Sequence, residues 1–554
     1  MKIALLSNVN VNMIIQRLSV DADIYYPEGY NTWVQDLLQS DSNLYKFNPH
    51  AIFILVDGYE IFKNVENVSI NNIMDQYISY VENSVKCHSN ITYFISNIDI
   101  PLKKLQAIKS YRIEKEIEFL WYKKLYDLSE KYSNLYIFDI KKIIEEMGRD
   151  VFYSNKVWYL SGSKYSVRAE KHIIKLINQH INALLGKRKK CLVLDLDNTL
   201  WGGVVGEDGI NGISLSDNKE GARYKDFQKR IKEIKDTGII LSIVSKNNYD
   251  DALEVMRSHS DMVLKENDFV GMKINWNVKP QNIEELSEEL NIGKESFVFI
   301  DDNPVERNMV ANEIPEVSVP EFPADTCELE RYVVDIYNEH FLILDVTNED
   351  KKKTEMYVQN FKRSQEQKQY STIDEYLKSL ETEIHIRKAR TEDIHRVAQL
   401  SQKTNQFNLT TKRYTELDIH NMINSDKYLV YVASVKDKFG DNGQCVVVIV
   451  EKKDYVTVNI DTFIMSCRVM GRFIEDSIIS YIERDVRDKG FDEVRAYYYP
   501  TKKNIPVKDL FDRLGYDVIN VDENNGNKDY KIKLTGNVLE SLKRKNSFSK
   551  TIIS

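Results

Sequence analysis

The stretch Val193-Leu194-Asp195-Leu196-Asp197-Asn198-Thr199-Leu200-Trp201-Gly202-Gly203 sets two carboxylates, one residue apart, at the end of an apolar run. Such a run reads as a strand buried on both faces. Side chains alternate along a strand, so Asp195 and Asp197 are expected on one side of it. Two carboxylates so placed repel, and one resists ionising. A divalent cation removes that conflict, because oxygen ligands on a hard ion favour the charged form of both.

Three more segments have comparable punctuation. Val244-Ser245-Lys246-Asn247-Asn248 places a hydroxyl and amides after an apolar strand pattern. Lys279-Pro280 opens a helical pattern. Ile300-Asp301-Asp302-Asn303-Pro304 places a second carboxylate pair after another apolar run. Open α/β sheets bind ligands outside the carboxyl ends of their strands, so the four segments can converge there.

A chain of 554 residues exceeds one hydrophobic core and implies three or four domains. The net charge of −9 is modest for that length and argues against a dedicated nucleic-acid binder. No apolar stretch approaches the roughly 20 residues that span a bilayer, so no membrane partner is expected. Met1 to Leu6 reads as an opening strand and not as a signal peptide. Cys87, Cys191, Cys327, Cys445 and Cys467 are dispersed, with no pair at metal-ligand spacing. Free thiols in a cytoplasmic protein are the expectation.

Residues 1–186 alternate apolar strands (Ile3–Leu6, Ala51–Val56, Ile91–Ile95, Leu135–Phe138) with amphipathic stretches, the pattern of a doubly wound α/β domain. Residues 187–345 form a second α/β unit. Its helical pattern Tyr224, Phe227, Ile231, Ile234 precedes the strand Ile239–Val244, and a helical pattern at Ile283–Leu290 precedes Ser296–Ile300. Residues 346–383, charged and poor in Gly and Pro, suit connecting helices. Residues 384–536 form an α+β unit that opens with Ile384-His385-Ile386-Arg387 and has helical patterns at Phe473–Val486 and Val507–Leu514. Residues 537–554, with Lys543, Arg544, Lys545 and Lys550, read as a loose basic tail.

Taken in order, the four central segments resemble the haloacid dehalogenase-like (HAD-like) phosphatase superfamily. Within it the chain resembles the FkbH family of glyceryl-transferring proteins, from the N-terminus to about residue 536. The carrying residues are Leu194 to Gly209, Ser245-Lys246-Asn247-Asn248, Asn275-Trp276-Asn277-Val278-Lys279 and Phe299 to Asn308. The resemblance implies Asp195 as the nucleophile that forms an aspartyl-phosphate. Asp197 would act as acid to the leaving oxygen and base to the incoming water. Ser245, Asn247 and Lys279 would hold phosphate oxygens. A Mg²⁺ site would comprise Asp195, Asp197 through its backbone carbonyl, and Asp301 with Asp302, either of which could be the direct ligand. Asn198 and Thr199 are expected to shape the loop.

The flanking units carry resemblances of their own. Residues 384–536 resemble the GCN5-related N-acetyltransferase (GNAT) fold. Cys467-Arg468-Val469-Met470-Gly471-Arg472-Phe473 lies where those enzymes seat a pyrophosphate on a glycine-rich turn, although here the turn has one glycine and ends in Phe473. Asn405 to Thr411, Pro500 to Asn504 and Leu514-Gly515-Tyr516 fit the same unit. Residues 1–186 resemble an SGNH-hydrolase-like fold, with Ser7 at the nucleophile position. The Asp-x-x-His of that family is absent, His172 having no aspartate three residues before it, so a structural or partner-binding role is expected.

For an FkbH-like protein the implied donor is 1,3-bisphosphoglycerate. The implied acceptor is the phosphopantetheine thiol of an acyl carrier protein in polyketide or related biosynthesis, reached through an enzyme cysteine. Cys467, before an arginine and an expected helix start, is the candidate thiol. Two other readings stand beside this one: a HAD-type phosphatase in surface-polysaccharide or other metabolism without a carrier protein, and a catalytically silent scaffold.

Overall fold

The computed structural model describes residues 1–18, 23–27, 32–63, 70–101, 112–346, 353–367, 369–523, 525–534 and 549–553. They form two compact units, Met1–Ile181 and Asn182–Ser554. The first is built on five parallel strands, β1 (Lys2–Ser7), β2 (Asp23–Tyr25), β3 (Ala51–Leu55), β4 (Thr92–Ser96) and β5 (Leu135–Phe138), in the order β2-β1-β3-β4-β5. This is the doubly wound, flavodoxin-like order. The short β2 has no apolar run in the sequence to announce it.

The second unit contains two sheets. The first has four parallel strands, β6 (Cys191–Leu194), β7 (Ile240–Ser245), β8 (Phe269–Ile274) and β9 (Phe297–Ile300), in the order β8-β7-β6-β9. Every residue of β6 and β9 is buried. Leu192 and Leu194 pack with Tyr224, Phe227, Ile231 and Ile234 of the helix Lys219–Asp236. Cys191 and Val193 face the opposite layer, with Ile283, Leu286 and Leu290 of the helix Lys279–Leu290. Burying a Leu or Phe side chain contributes about 1.5–3 kcal/mol, so polar residues enter this sequence only where the strands end. β8 breaks the apolar pattern with Lys273 and with Gly271 at φ +79°, which hides it from a reading of periodicity.

The second sheet contains β10 (Thr382–Lys388), β11 (Tyr428–Asp437), β12 (Gly440–Lys452), β13 (Thr457–Met465), β14 (Glu493–Tyr498), β15 (Asp517–Val521), β16 (Lys528–Lys533) and β17 (Ser549–Ile553). The order is β15-β16-β14-β13-β12-β11-β10-β17. Its pairs are antiparallel except β13 with β14 and β10 with β17. The β13–β14 connection needs a crossover, and the helix Ile474–Asp488 supplies it. The expected helix at 507–514 is only a turn at Ile505–Val507 and a short helix Leu510–Arg513, because Pro506 and Gly515 bracket too few residues.

Between the two sheets of this unit runs the helix Lys353–Gln367. Tyr357 is buried in the core beneath β6, with Val358 and Phe361 beside it. From the same helix, Arg363 donates twice to Asp437 of β11, Nε to Oδ2 and Nη2 to Oδ1, both at 2.7 Å. Arg472 Nη1 reaches the same Oδ2 at 2.8 Å. The segment expected to connect domains is therefore a packed element of both. Of the expected loose tail, Lys543, Arg544 and Lys545 lie outside the described residues. Lys550 instead belongs to β17, opposite Glu383 of β10. The β-branched Thr551-Ile552-Ile553 suits a strand added to an open edge. Among the described residues no helix is long and apolar enough to cross a membrane.

Candidate active site

β6 ends at Leu194. Asp195 N still donates to Ile300 O at 3.0 Å, and the chain then turns at Asn198, which has φ 54°. Asn198 closes this loop, its Oδ1 accepting from Gly203 N at 2.8 Å. Thr199 Oγ1 accepts from Asp302 N at 3.2 Å. Both residues shape the site, as expected of them. Because the strand stops before Asp195, strict alternation does not govern the two aspartates, and they take different environments.

Asp195 joins the other carboxylate pair. Asp195, Asp301 and Asp302 each offer an oxygen within 4.8 Å of the others. Lys279, the first residue of its helix, puts Nζ 2.9 Å from Asp195 Oδ1 and 2.5 Å from Asp301 Oδ2. Asp301 Oδ1 accepts from Asn303 N at 2.9 Å. Burial and the charge of Asp195 push Asp301 up to about 6 against the opposing pull of Lys279, and push Asp302 up by the same causes. Burial lowers the Lys279 pKa, but Asp195 and Asp301 outweigh it and the net shift is upward.

Three carboxylates against one ammonium leave this pocket negative. Asp195 Oδ1 is buried and makes no hydrogen bond; its 2.9 Å contact with Lys279 is a charge contact outside hydrogen-bond geometry. An orphaned carboxylate oxygen in a cluster of hard oxygen donors fits a divalent cation of the Mg²⁺ type.

Asp197 is held apart from that cluster. Its Oδ1 accepts from Trp201 Nε1 at 2.8 Å and from Val205 N at 3.1 Å. Its Oδ2 accepts from Asn247 Nδ2 at 2.9 Å. Burial raises its pKa above the usual carboxylate range, with those donors pulling the other way. Two neighbouring carboxylates in different surroundings are suited to different tasks.

Of the residues singled out in the sequence, Asp195, Lys279, Asp301 and Asp302 thus form one cluster, and Asn247 binds Asp197 separately. Ser245, 1% exposed, ends β7 beside β6. Sequence reasoning missed several supports. Gln228 is fully buried, donates to Leu200 O at 2.8 Å and accepts from Val263 N and Leu264 N. It lies on the apolar face marked by Tyr224, Phe227 and Ile231, which was the available signal. Arg307 Nη1 binds the carbonyls of Asp301 and Asp302 at 2.8 and 2.7 Å, fixing the turn that presents both acids.

Cys467 lies elsewhere. The long helix begins only at Ile474, and Cys467 opens a short 3-10 turn, so the expected helix N-terminus is not beside the thiol. The Arg468 guanidinium is turned to Ser466 Oγ and Met356 Sδ. Tyr357 lies within electrostatic reach of Cys467 and packs in the core with Cys191, the first residue of β6. Asp195 follows the other end of that strand, about 13 Å away at the rise of an extended chain. Likewise, Asn291 at the end of the helix that begins with Lys279 donates to Cys467 O at 3.0 Å, and twelve helical residues span about 18 Å.

The turn expected to seat a pyrophosphate is also acidic. Glu475 and Asp476 occupy the first turn of the helix and pair with Arg513 at 3.0 and 2.6 Å. In the first unit, Ser7 Oγ donates to Leu55 O at 2.8 Å, and His172 is exposed on its helix.

No family model matches the chain, and no curated protein matches it. Among solved structures, it is similar to the N-terminal part of the protein BF1531 from Bacteroides fragilis, which contains a phosphatase domain and was crystallised complexed with Mg. The identity is 29%, the match covers 62% of this chain and 94% of that one, and the TM-score is 0.57. Smaller likenesses link 28% of the chain to 95% of the ribosomal-protein-S18-alanine N-acetyltransferase from Escherichia coli, at 8% identity and TM-score 0.22. Another links 27% of it to 97% of an N-acetyltransferase from Staphylococcus aureus Mu50, at 16% identity and TM-score 0.22.

Proposed function

We propose that residues 187–345 form a Mg²⁺-dependent phosphatase site of the HAD type. The observation that carries this reading is the position of Lys279 Nζ between Asp195 and Asp301, with Asp302 adjacent and Asp197 held apart by Trp201 and Asn247. Asp195 attacks phosphorus, the bond to the leaving oxygen breaks, and Asp197 gives that oxygen its proton. A water then attacks the aspartyl-phosphate, Asp197 takes the water's proton, and inorganic phosphate leaves with the Asp195 carboxylate restored. Lys279, Ser245 and Asn247 hold the phosphoryl oxygens through both steps. Asp195, Asp301, Asp302 and the Asp197 carbonyl would hold Mg²⁺, which when bound would supply positive charge that offsets repulsion between the phosphate and Asp195. The Mg-bound phosphatase domain of the similar Bacteroides protein supports the assignment of metal and reaction.

The narrower reading is glyceryl transfer from 1,3-bisphosphoglycerate to the thiol of an acyl carrier protein. What supports it is the resemblance of the Trp201-Gly202-Gly203 continuation to the FkbH family; in the structure Trp201 binds the Asp197 carboxylate and Gly202 pairs with Ser214. With Cys467 as the thiol, the acyl step and the phosphate step occupy two separate sites, and the acyl chain must travel between them. Phosphate release from acetyl phosphate and sugar phosphates with and without Mg²⁺ tests the phosphatase reading. The intact mass of a pantetheinylated carrier, after incubation with donor and enzyme, tests the transfer. No phosphate release in any Mg²⁺ assay would refute the first, and no glyceryl gain on cognate carriers would refute the second.

A further inference from the structure

The loop Asn275-Trp276-Asn277-Val278 joins β8 to the helix that begins with Lys279, so it borders the phosphate site. It is firmly built. Asn275 and the buried Asn282 exchange side-chain hydrogen bonds at 3.1 and 2.9 Å, and Asn275 Oδ1 also accepts from Asn277 N. On this loop Trp276 is 70% exposed. Trp33, Trp121 and Trp201 are buried and Trp158 is half-buried under Lys164, so the remaining tryptophan is the one left facing solvent. Val278 of the same loop, and Tyr249, which follows Asn248 in the chain, are exposed as well. An aromatic side chain normally contributes most when covered, and one held out on a fixed loop beside polar catalytic groups fits the apolar wall of a ligand site.

A chain of hydrogen bonds fixes where that wall stands. Trp276 Nε1 donates to Asn248 Oδ1 at 3.4 Å, Asn248 N donates to Asn247 Oδ1 at 2.8 Å, and Asn247 Nδ2 donates to Asp197 Oδ2 at 2.9 Å. The indole is therefore linked through Asn248 and Asn247 to the acid that serves the leaving group. We infer that Trp276 is a positioning residue for the leaving group, and that the substrate is a phosphate ester whose organic part lays a flat or apolar face, about a ring wide, against this indole. This inference rests on the phosphatase reading above and not on the glyceryl-transfer reading, whose three-carbon donor has no such face.

The test compares kcat/KM of the full-length protein with Mg²⁺ for 1-naphthyl phosphate and acetyl phosphate. Trp276→Ala is expected to lose roughly tenfold more on the naphthyl ester than on acetyl phosphate, mainly through KM, and Trp276→Phe to recover most of the difference. Equal losses on both substrates, or no loss on either, would overturn the inference. Wild-type protein that turns over neither substrate would defeat the phosphatase reading instead. In that event calorimetric titration of 1-naphthyl phosphate into Asp195→Asn, with and without Trp276→Ala, decides the role of the indole: a roughly tenfold weaker Kd supports it, and an unchanged Kd refutes it.

Discussion

Lys279 Nζ donates to Asp301 Oδ2 across 2.5 Å, with both side chains buried. Among the described residues the lysine is the only cation paired with the site's carboxylates, Arg307 reaching only backbone carbonyls, and Asp195 and Asp301 keep it charged against the cost of its burial.

Lys279→Ala should lower phosphatase turnover by about 10²–10³-fold, the usual effect of removing one group that stabilises transition-state charge. It should also lower the melting temperature without metal, since three acids are left without their counter-ion. Added Mg²⁺ should then raise the melting temperature more in the variant than in the wild type. Turnover within a few-fold of wild type, measured by phosphate release, would remove Lys279 from the mechanism.

Trp201→Phe removes the indole that donates to Asp197 Oδ1. Burial already raises the Asp197 pKa, and the Trp201 bond opposes that rise. Without the bond Asp197 holds its proton to higher pH, so the basic limb of the pH–kcat profile should move upward while kcat falls by roughly tenfold or more. A profile that keeps its position would show that Trp201 only fills space.

Much of the central site was legible because its chemistry is concentrated at strand ends. Asp195, Ser245 and Asp301 each follow a run of apolar residues, and burial of those runs dictates where the polar groups emerge. The separation of Asp197 from the metal cluster was not legible, because it depends on β6 ending at Leu194 and on a left-handed turn at Asn198. Gln228 stayed hidden among apolar helix positions, where a single polar residue is easily taken for pattern noise. The placement of Cys467 was equally out of reach. It follows from the packing of Tyr357 and Asn291, contacts distant in sequence that no local spacing encodes. Ser549–Ile553, read as part of a tail, becomes a strand only because β10 presents an open edge.

Asp437→Asn should destabilise the second unit by about 3–5 kcal/mol, the cost of breaking a buried pair from one side. Asp437 is the shared partner of Arg363 and Arg472, and all three side chains are nearly inaccessible. Burial and the neighbouring Arg363 already lower the Arg472 pKa, so loss of the carboxylate leaves two arginines facing each other. Urea unfolding checks this, and a change below about 1 kcal/mol would show that the cluster is solvated or otherwise compensated.

His180 sits between the rings of Phe94 and Phe138, each centred 5.2 Å away. Burial lowers its pKa below the ordinary histidine value of 6.5, with the Leu176 carbonyl bond opposing. The unfolded chain therefore binds the proton first, so the contribution of this group is complete above about pH 6.5 and is lost as pH falls towards the folded value. Thermal midpoints of wild type should decline between pH 7.5 and 5, and His180→Leu should show a shallower decline. Parallel curves for the two proteins would contradict the assignment.

The central claim is that Asp195 is phosphorylated during turnover. The most direct measurement is the mass of the intact protein, acid-quenched during Mg²⁺-dependent hydrolysis of acetyl phosphate, with peptide mapping of any added group. One acid-stable, base-labile phosphoryl group is expected on Asp195, absent without Mg²⁺ and absent in Asp195→Asn. Hydrolysis that persists in Asp195→Asn, or a phosphoryl group that maps to another residue, would contradict it.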